Sequence, residues 1–468
     1  MVRTTPTCAG RLQGGAVPPG GRGVLPAGGP RACDDEDPPH RSTRLDELDL
    51  PTARWLTSAD GLAAVAAAAA HPDTGIALAA WARERWPEPG RGPAIVAAAV
   101  ARRRARGSWP DADDLLFTRT GLEQASDPVV AAWRAARIAR VARAAAPPRR
   151  IWDLGAGIGG DTLAIARASR GPVRAVDRDA GRLELLRHNA GVLGLAVTVE
   201  VADALTVRPD PADLVHADPG RRRADGRRIR RLADHQPPVG ALLAAHPDVA
   251  GHAIVLSPGV DLDDPDLPAD AELEFVALDG QLVEAVAWRG CLAVPDRAAT
   301  ATLLRRPSRA ADRGPAVPTA GAGHTAEPVS IGRDRGPRSA LAVGPVGSHL
   351  VEVVAAAVRA RVHDTIGAGV GARRLAHRRA LLTCDERPPA SPWYVARPVL
   401  AVLPARPRTV RGWLRTREAP ALELVVHGLD VDVARWWREL GRPARGPDGW
   451  RIELVRLDDG AVAIVTEA

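Results

Sequence analysis

The stretch Ile151-Trp-Asp-Leu-Gly-Ala-Gly-Ile-Gly-Gly-Asp-Thr162 narrows the folds open to this chain more than any other. An apolar run at 150–154 reads as a strand, the glycines as a tight turn, and the residues that follow as the start of a helix. Strand, glycine turn and helix in that order open a doubly wound α/β unit, with free N–H groups at the helix start facing a ligand. Gly155, Gly157 and Gly160 satisfy the G-x-G-x-x-G pattern that dinucleotide-binding folds share, so the loop alone leaves the ligand undecided.

The acids around the loop tilt the choice. Asp153 stands two residues ahead of the first glycine, where a carboxylate attracts the cationic ammonium of a methionine moiety and repels a pyrophosphate. Asp177 ends the next strand, 22 residues after Gly155, where it is placed to accept both ribose hydroxyls. Asp203 follows the third strand and is placed for the adenine edge. Acids at the ends of successive strands lie on the face where open α/β sheets bind ligands, and point to S-adenosylmethionine. Gly155, Gly157, Gly159 and Asp161, from the loop and the first turn after it, complete the expected cofactor set.

The fourth strand runs into Ala217-Asp218-Pro219-Gly220-Arg221-Arg222. An Asp-Pro step at a strand's carboxyl end leaves carbonyl oxygens outside the ladder, free to hold a methyl-accepting group; alone it would read as a turn. Asp218 and Pro219 are therefore expected to orient the acceptor, and Arg221 and Arg222 to anchor a phosphate. Residues 221–231 hold seven arginines and one aspartate, a local excess of six positive charges.

Further short apolar runs at 173–176, 197–201, 213–217, 252–256, 273–277 and 285–288 bring the expected strands to seven. Most are separated by helix-length segments, which indicates an α/β sheet wound mainly in parallel. Upstream, residues 45–148 are helical in pattern, with Ser58 placed to cap a helix over 59–70 and a longer helix starting near Ser126. Arg134, Arg137, Arg140 and Arg143 on that helix read as a solvated face. Residues 1–44 and 307–347 are Gly/Pro/Arg-rich, an expected disordered extension and a linker. Residues 348–468 return to α+β, with helices expected near 353–362, 409–416 and 431–440 and strands at 398–403, 422–426 and in the last segment.

Length 468 suits about three domains. The chain carries no lysine, so all 63 basic residues are arginine; with 56 acids the net charge is +7, which suits a polyanionic partner such as RNA. Four scattered cysteines offer neither metal spacing nor a disulfide framework, and imply a reduced, cytoplasmic setting. His188, His216 and His252 are scattered too and read as structural.

On these residues the chain resembles the bacterial class I S-adenosylmethionine-dependent methyltransferases that carry a C-terminal THUMP-like domain. The resemblance rests on Leu116-Phe-Thr-Arg-Thr-Gly-Leu-Glu-Gln-Ala125, the glycine loop, His188-Asn-Ala, the 217–222 segment, Gly226-Arg-Arg-Ile229, Leu256-Ser-Pro-Gly-Val-Asp261 and Val276-Ala-Leu-Asp-Gly280. It implies a seven-stranded Rossmann-like methyltransferase sheet after an N-terminal helical domain, and an RNA-directed role. Where amino-methylating relatives carry proline and an aromatic after Asp-Pro, this chain has Gly220 and Arg221. Two rivals stay open at this point: a non-catalytic nucleic-acid-binding protein on a degenerate methyltransferase fold, and a nicotinamide-dependent oxidoreductase.

Overall fold

A computed structural model of the chain describes residues 48–145, 149–220, 229–307, 327–337, 339–377, 379–417, 421–441, 444–446 and 449–467. The N-terminal extension, Cys8, Cys33, Arg221 and Arg222 therefore lie outside the described residues. The described residues form two compact units, Leu48–Ala396 and a smaller one from Arg397 to Glu467.

The larger unit opens with six helices, α1 (Leu50–Leu56), α2 (Ala59–Ala70), α3 (Gly75–Arg85), α4 (Arg91–Ala105), α5 (Arg119–Gln124) and α6 (Pro128–Ala144). Their starts follow local chemistry. Ser58 caps α2, its hydroxyl accepting from the Gly61 amide at 3.2 Å, and Asp127 caps α6, accepting from the Val129 amide at 3.0 Å with Pro128 in the first turn.

Strands and helices then alternate: β1 (Ile151–Leu154), α7 (Gly160–Ser169), β2 (Val173–Asp177), α8 (Ala180–Val192), β3 (Val197–Val201), β4 (Leu214–Ala217), α9 (Val239–Ala245), β5 (Gly251–Leu256), β6 (Glu272–Leu278), β7 (Gln281–Gly290), β8 (Arg297–Leu304) and β9 (Val329–Asp334). The sheet order is β3-β2-β1-β4-β5-β7-β6-β8-β9. β1 to β5 run parallel, and β7 enters antiparallel between β5 and β6. The sheet thus holds nine strands where the sequence suggested seven. β9 lies inside the expected linker: it pairs antiparallel with β8 and needs only its backbone to do so, which is why a segment with few apolar residues still forms a strand.

One face of the sheet is covered by α6 and α7, whose Ala135, Ile138, Ala142 and Ile165 pack on Ile151, Leu214, Ala253 and Trp288. Leu232, Val239 and Leu242 close the other face over Trp152, Leu154, Val215 and Leu256. The central strands β1, β4 and β5 are buried along their whole length, as parallel strands with both faces covered must be. Asp153 in β1 and His216 in β4 are polar exceptions in these runs, and the parallel register sets them side by side.

The larger unit ends with β10 (His349–Val353), α10 (Ala355–Arg359), α11 (His363–Ala368), β11 (Arg373–Arg374) and β12 (Leu381–Cys384). The helix expected over 353–362 is shorter, and its first residue closes a strand. The smaller unit begins inside β13 (Tyr394–Pro404) and continues with α12 (Pro407–Arg415), β14 (Leu422–His427), α13 (Val433–Leu440), β15 (Trp450–Arg456) and β16 (Ala461–Glu467). β14 and β15 are parallel, while β16 pairs antiparallel with β15 and β13. Val410, Leu414, Trp436, Trp437 and Leu440 bury the inner faces of the two helices against this sheet.

Among the described residues no helix is long and apolar enough to cross a membrane, and no cluster of three or more His, Cys, Asp or Glu could hold a metal ion.

Candidate active site

After Leu154 the chain turns through Gly155, Gly157 and Gly159, with φ of +80°, +55° and +98°, before α7 begins at Gly160. The Gly155 and Ala156 amides both donate to the Val176 carbonyl of β2, at 2.8 and 3.0 Å, so the loop is stapled to the neighbouring strand. A Cβ on Gly159 would stand 2.1 Å from Leu186 Cδ1, and one on Gly155 would stand 3.3 Å from the Asp218 carbonyl oxygen. At Gly157 nothing lies within 4 Å. That glycine is left-handed over open space, where backbone is accessible to a ligand.

The expected acids lie along the carboxyl ends of adjacent strands. Asp177, last in β2, accepts from the Gly157 amide at 2.8 Å through one oxygen and from the Asp179 amide at 2.9 Å through the other. Asp203, just past β3, accepts from the Leu205 amide at 2.8 Å and pairs with Arg178; these bonds hold it below the usual carboxylate range. Asp218, just past β4, is half-buried, and its amide donates to the Leu154 carbonyl at 3.3 Å. Pro219 is buried, and Gly220 forms a two-bond bridge with Gln236, at 2.8 and 3.3 Å.

Asp153 lies under the loop rather than on its surface. It is 1% exposed; one oxygen is 2.7 Å from His216 Nδ1 and the other accepts from the Thr162 hydroxyl. Burial disfavours a charged His216, but the Asp153 carboxylate, with Asp161 beyond it, raises its pKa above the ordinary value. Asp161 sits in the first turn of α7 and is also buried, accepting from Ser126 at 3.1 Å and pairing with Arg134. Burial works against its charge as well, yet Arg134 and His216 hold its pKa below the usual value.

Arg134 was expected in solvent. It is 1% exposed and wedged between Asp161, Glu284 of β7 and the Ser126 hydroxyl at 2.8 Å, with Asp218 close enough to favour its charge. Arg137 also turns inward, to Glu272 and the Leu292 carbonyl. The signal was present in the sequence: Val130, Ala131, Ala135, Ile138, Ala139 and Ala142 form the apolar stripe of α6, and Arg134 falls in its middle. His216 gave a fainter one, as a polar residue in a strand that is buried along its whole length.

No protein-family model matches the chain. It is similar to an S-adenosylmethionine-dependent methyltransferase of Mycobacterium tuberculosis, found in strains CDC 1551 and H37Rv, with 30% identity over 387 residues, 80% of this chain and 96% of the relative. Its fold is similar to that of a crystal structure described as a methyltransferase from Porphyromonas gingivalis W83, with a TM-score of 0.59 and 18% identity over 84% of this chain and 97% of that one. The glycine loop thus belongs to an enzyme that takes S-adenosylmethionine and not a nicotinamide dinucleotide. Identity at that level across four-fifths of the sequence shows that the chain belongs to the S-adenosylmethionine-dependent methyltransferases.

Proposed function

We propose that this methyltransferase acts on an RNA nucleotide in the cytoplasm of a bacterium. In this reading β3-β2-β1-β4-β5-β7-β6 is the class I methyltransferase sheet with β8 and β9 appended, and the α+β region 348–468, which includes the smaller unit, is a THUMP-like domain that grips RNA.

The glycine loop fits the cofactor on its own chemistry. Gly157 leaves open backbone beside a half-buried carboxylate, Asp177, and Asp203 stands at the end of the adjoining strand. Asp177 would accept the ribose hydroxyls and Asp203 the adenine edge, while Gly155, Gly157 and Gly159 shape the turn. Asp153 and Asp161 would act from beneath, holding the loop and α7 in place. S-adenosylmethionine supplies a methyl group that is already electrophilic, so the protein's work is mainly to align nucleophile and methyl. Asp218 and the Pro219 carbonyl would orient the accepting atom and receive its proton, and Arg221 and Arg222 would anchor a phosphate beside them.

One observation carries the RNA substrate. Helix α12 buries Val410 and Leu414 and turns Arg408, Gly412 and Arg415 outward, with Arg411 half-buried at the edge of that face. None of these arginines has a carboxylate partner among the described residues. Gly412 lies between them with nothing within 4 Å of a would-be Cβ. A mid-helix glycine costs roughly 1 kcal/mol against alanine, and no packing within the unit calls for it. A flat, guanidinium-lined helix face suits a sugar-phosphate backbone approaching closely. Because the outward face carries no apolar side chain, it does not suit insertion into a bilayer.

The test is transfer of a tritiated methyl group from the cofactor to total RNA of a strain lacking the gene. RNA should take up label with the natural chain and about a hundredfold less with Asp218→Asn, a loss of the size that misalignment of reacting groups produces. Label appearing only in protein or small molecules would replace the RNA reading.

A further inference from the structure

We propose that Arg361 is a positioning residue for the methyl acceptor: it pins the loop after β5, and that loop seats the end of the arginine run beside Asp218. The segment around α10 thus acts on the acceptor and not on the cofactor. This rests on placing the acceptor over Asp218.

The backbone singles out Arg361. Helix α10 ends in a Schellman turn, in which the Val362 amide donates to the Ala357 carbonyl at 3.0 Å and the Arg361 amide to the Val358 carbonyl at 3.1 Å. Val362 and Ala357 are both fully buried, which supplies the apolar contact of that motif. The left-handed position in such a turn is one that glycine takes without strain; here Arg361 holds it, at φ +58°. A long side chain is kept there at a conformational cost that its contacts must offset.

Those contacts fall on one loop. Arg361 Nη1 donates to Asp263 at 2.8 Å, and Nη2 donates to Asp261 at 3.0 Å and to the second oxygen of Asp263. A fork of this kind fixes orientation as well as distance. Arg359, in the last turn of α10, donates to the Val260 carbonyl and lies over the Phe275 ring at 5.6 Å. The Asp263 amide donates to Asp261 at 3.2 Å, so residues 260–263 are held from within as well as by α10. Because the side chains of Asp261 and Asp263 are mostly exposed, these ion pairs add little to stability, and what the fork supplies is geometry.

The other side of the loop meets the acceptor end of the sheet. Strands β4 and β5 run parallel with Ala217 opposite Ile254, so the chain leaves β5 next to the Asp218-Pro219-Gly220 step. A Cβ on Gly259 would stand 3.5 Å from Arg230 Cγ, and the Leu232 amide donates to Asp264 at 3.1 Å. Gln236 then bridges back to Gly220. Residues 229–236 are thereby strung between that step and the loop after β5. A shift of the loop moves Arg230 and Arg231 relative to Asp218, and with them any phosphate they face.

Steady-state transfer of a tritiated methyl group to total RNA of a strain lacking the gene tests this, with RNA and cofactor varied separately on the full chain. Arg361→Gly relieves the backbone as it removes the fork, so its melting temperature should stay within a few degrees of the natural chain's. Its kcat/KM for RNA should fall about tenfold, while S-adenosylmethionine affinity in calorimetry is unchanged. Arg361→Lys, with charge but no fork, should recover part of the loss. Asp261→Asn combined with Asp263→Asn keeps the oxygen that accepts within the turn but removes both charges, and should also slow transfer. If Arg361 touched RNA directly, that combination would strengthen binding by removing negative charge; a gain overturns the proposal. Full activity of Arg361→Gly overturns it too, as does an equal loss of cofactor affinity. Hydrogen exchange needs no acceptor: Arg361→Gly should speed exchange in residues 229–236 and 257–264 and leave 155–163 alone, and unchanged rates in the first two count against the proposal. Should the natural chain label no RNA, the RNA reading fails, and exchange alone decides the role of Arg361.

Discussion

Arg134 of α6 closes on Asp161 in the first turn of α7, and Ser126 bridges the two, accepting from the guanidinium at 2.8 Å and donating to the carboxylate at 3.1 Å. The helical block is thereby tied to the helix that follows the glycine loop, within one compact unit. Removing the guanidinium would take from Asp161 and Glu284 the buried cation that both of them face. Arg134→Met should therefore cost about 3–5 kcal/mol of unfolding free energy in urea titrations, and Arg134→Lys, which keeps the charge but loses the fork, distinctly less. Equal losses would mean that charge, and not geometry, is what α6 supplies.

His252 of β5 is 3% exposed, and burial, aided by Arg289, pushes its pKa down to about 4. A histidine whose folded value lies below its unfolded value of about 6.5 binds its proton more readily in the unfolded chain. Stability should therefore be full above about pH 6.5 and fall as pH drops towards 4, by up to about 3 kcal/mol from this residue. His246 and His188, also lowered by burial, act in the same direction. His252→Gln should flatten part of the slope in denaturant titrations run at successive pH values; an unchanged slope would assign the whole effect to the other two.

Gly157 and Gly159 are both left-handed but differ in surroundings, and substitution should separate binding from stability. A side chain at Gly159 meets Leu186, which packs with Ala156 and Leu163, so Gly159→Ala should lower the melting temperature. Gly157→Val meets nothing; its cost in stability is limited to the left-handed backbone, roughly 1–2 kcal/mol. It should abolish cofactor binding in calorimetry even so, because the side chain would fill the space above the loop. Intact binding by that variant would move the site elsewhere.

What could be read in the sequence was local. The glycine turn, the caps Ser58 and Asp127, and the row of acids after β2, β3 and β4 depend on neighbours within a few residues, and the chain places them where short-range rules put them. Arg134 escaped because its partners Asp161 and Glu284 lie 27 and 150 residues away, and a charge in an apolar stripe is resolved only when a distant partner is known. The same holds for Asp153: its position ahead of the glycines was legible, but its commitment to His216 depends on the β1–β4 register. β12 went unseen because four buried residues carry no periodicity, and β9 because its stability comes from hydrogen bonding along β8.

The outward arginines of α12 should contribute to RNA binding through counterion release, a property that cofactor affinity does not share. Each phosphate contact made to a single strand adds about 0.7 to the slope of log K against log salt. Replacing Arg408, Arg411 and Arg415 together by Gln should therefore lower that slope by about 2 in fluorescence anisotropy with labelled RNA. S-adenosylmethionine affinity should stay unchanged, since the three arginines belong to the smaller unit and the glycine loop to the larger one. Gly412→Gln in an otherwise natural chain should add helix stability yet weaken RNA binding, because the new side chain stands where the backbone of the strand would approach. If that variant binds RNA as well as the natural chain does, Gly412 marks no contact and the arginines act only as diffuse charge.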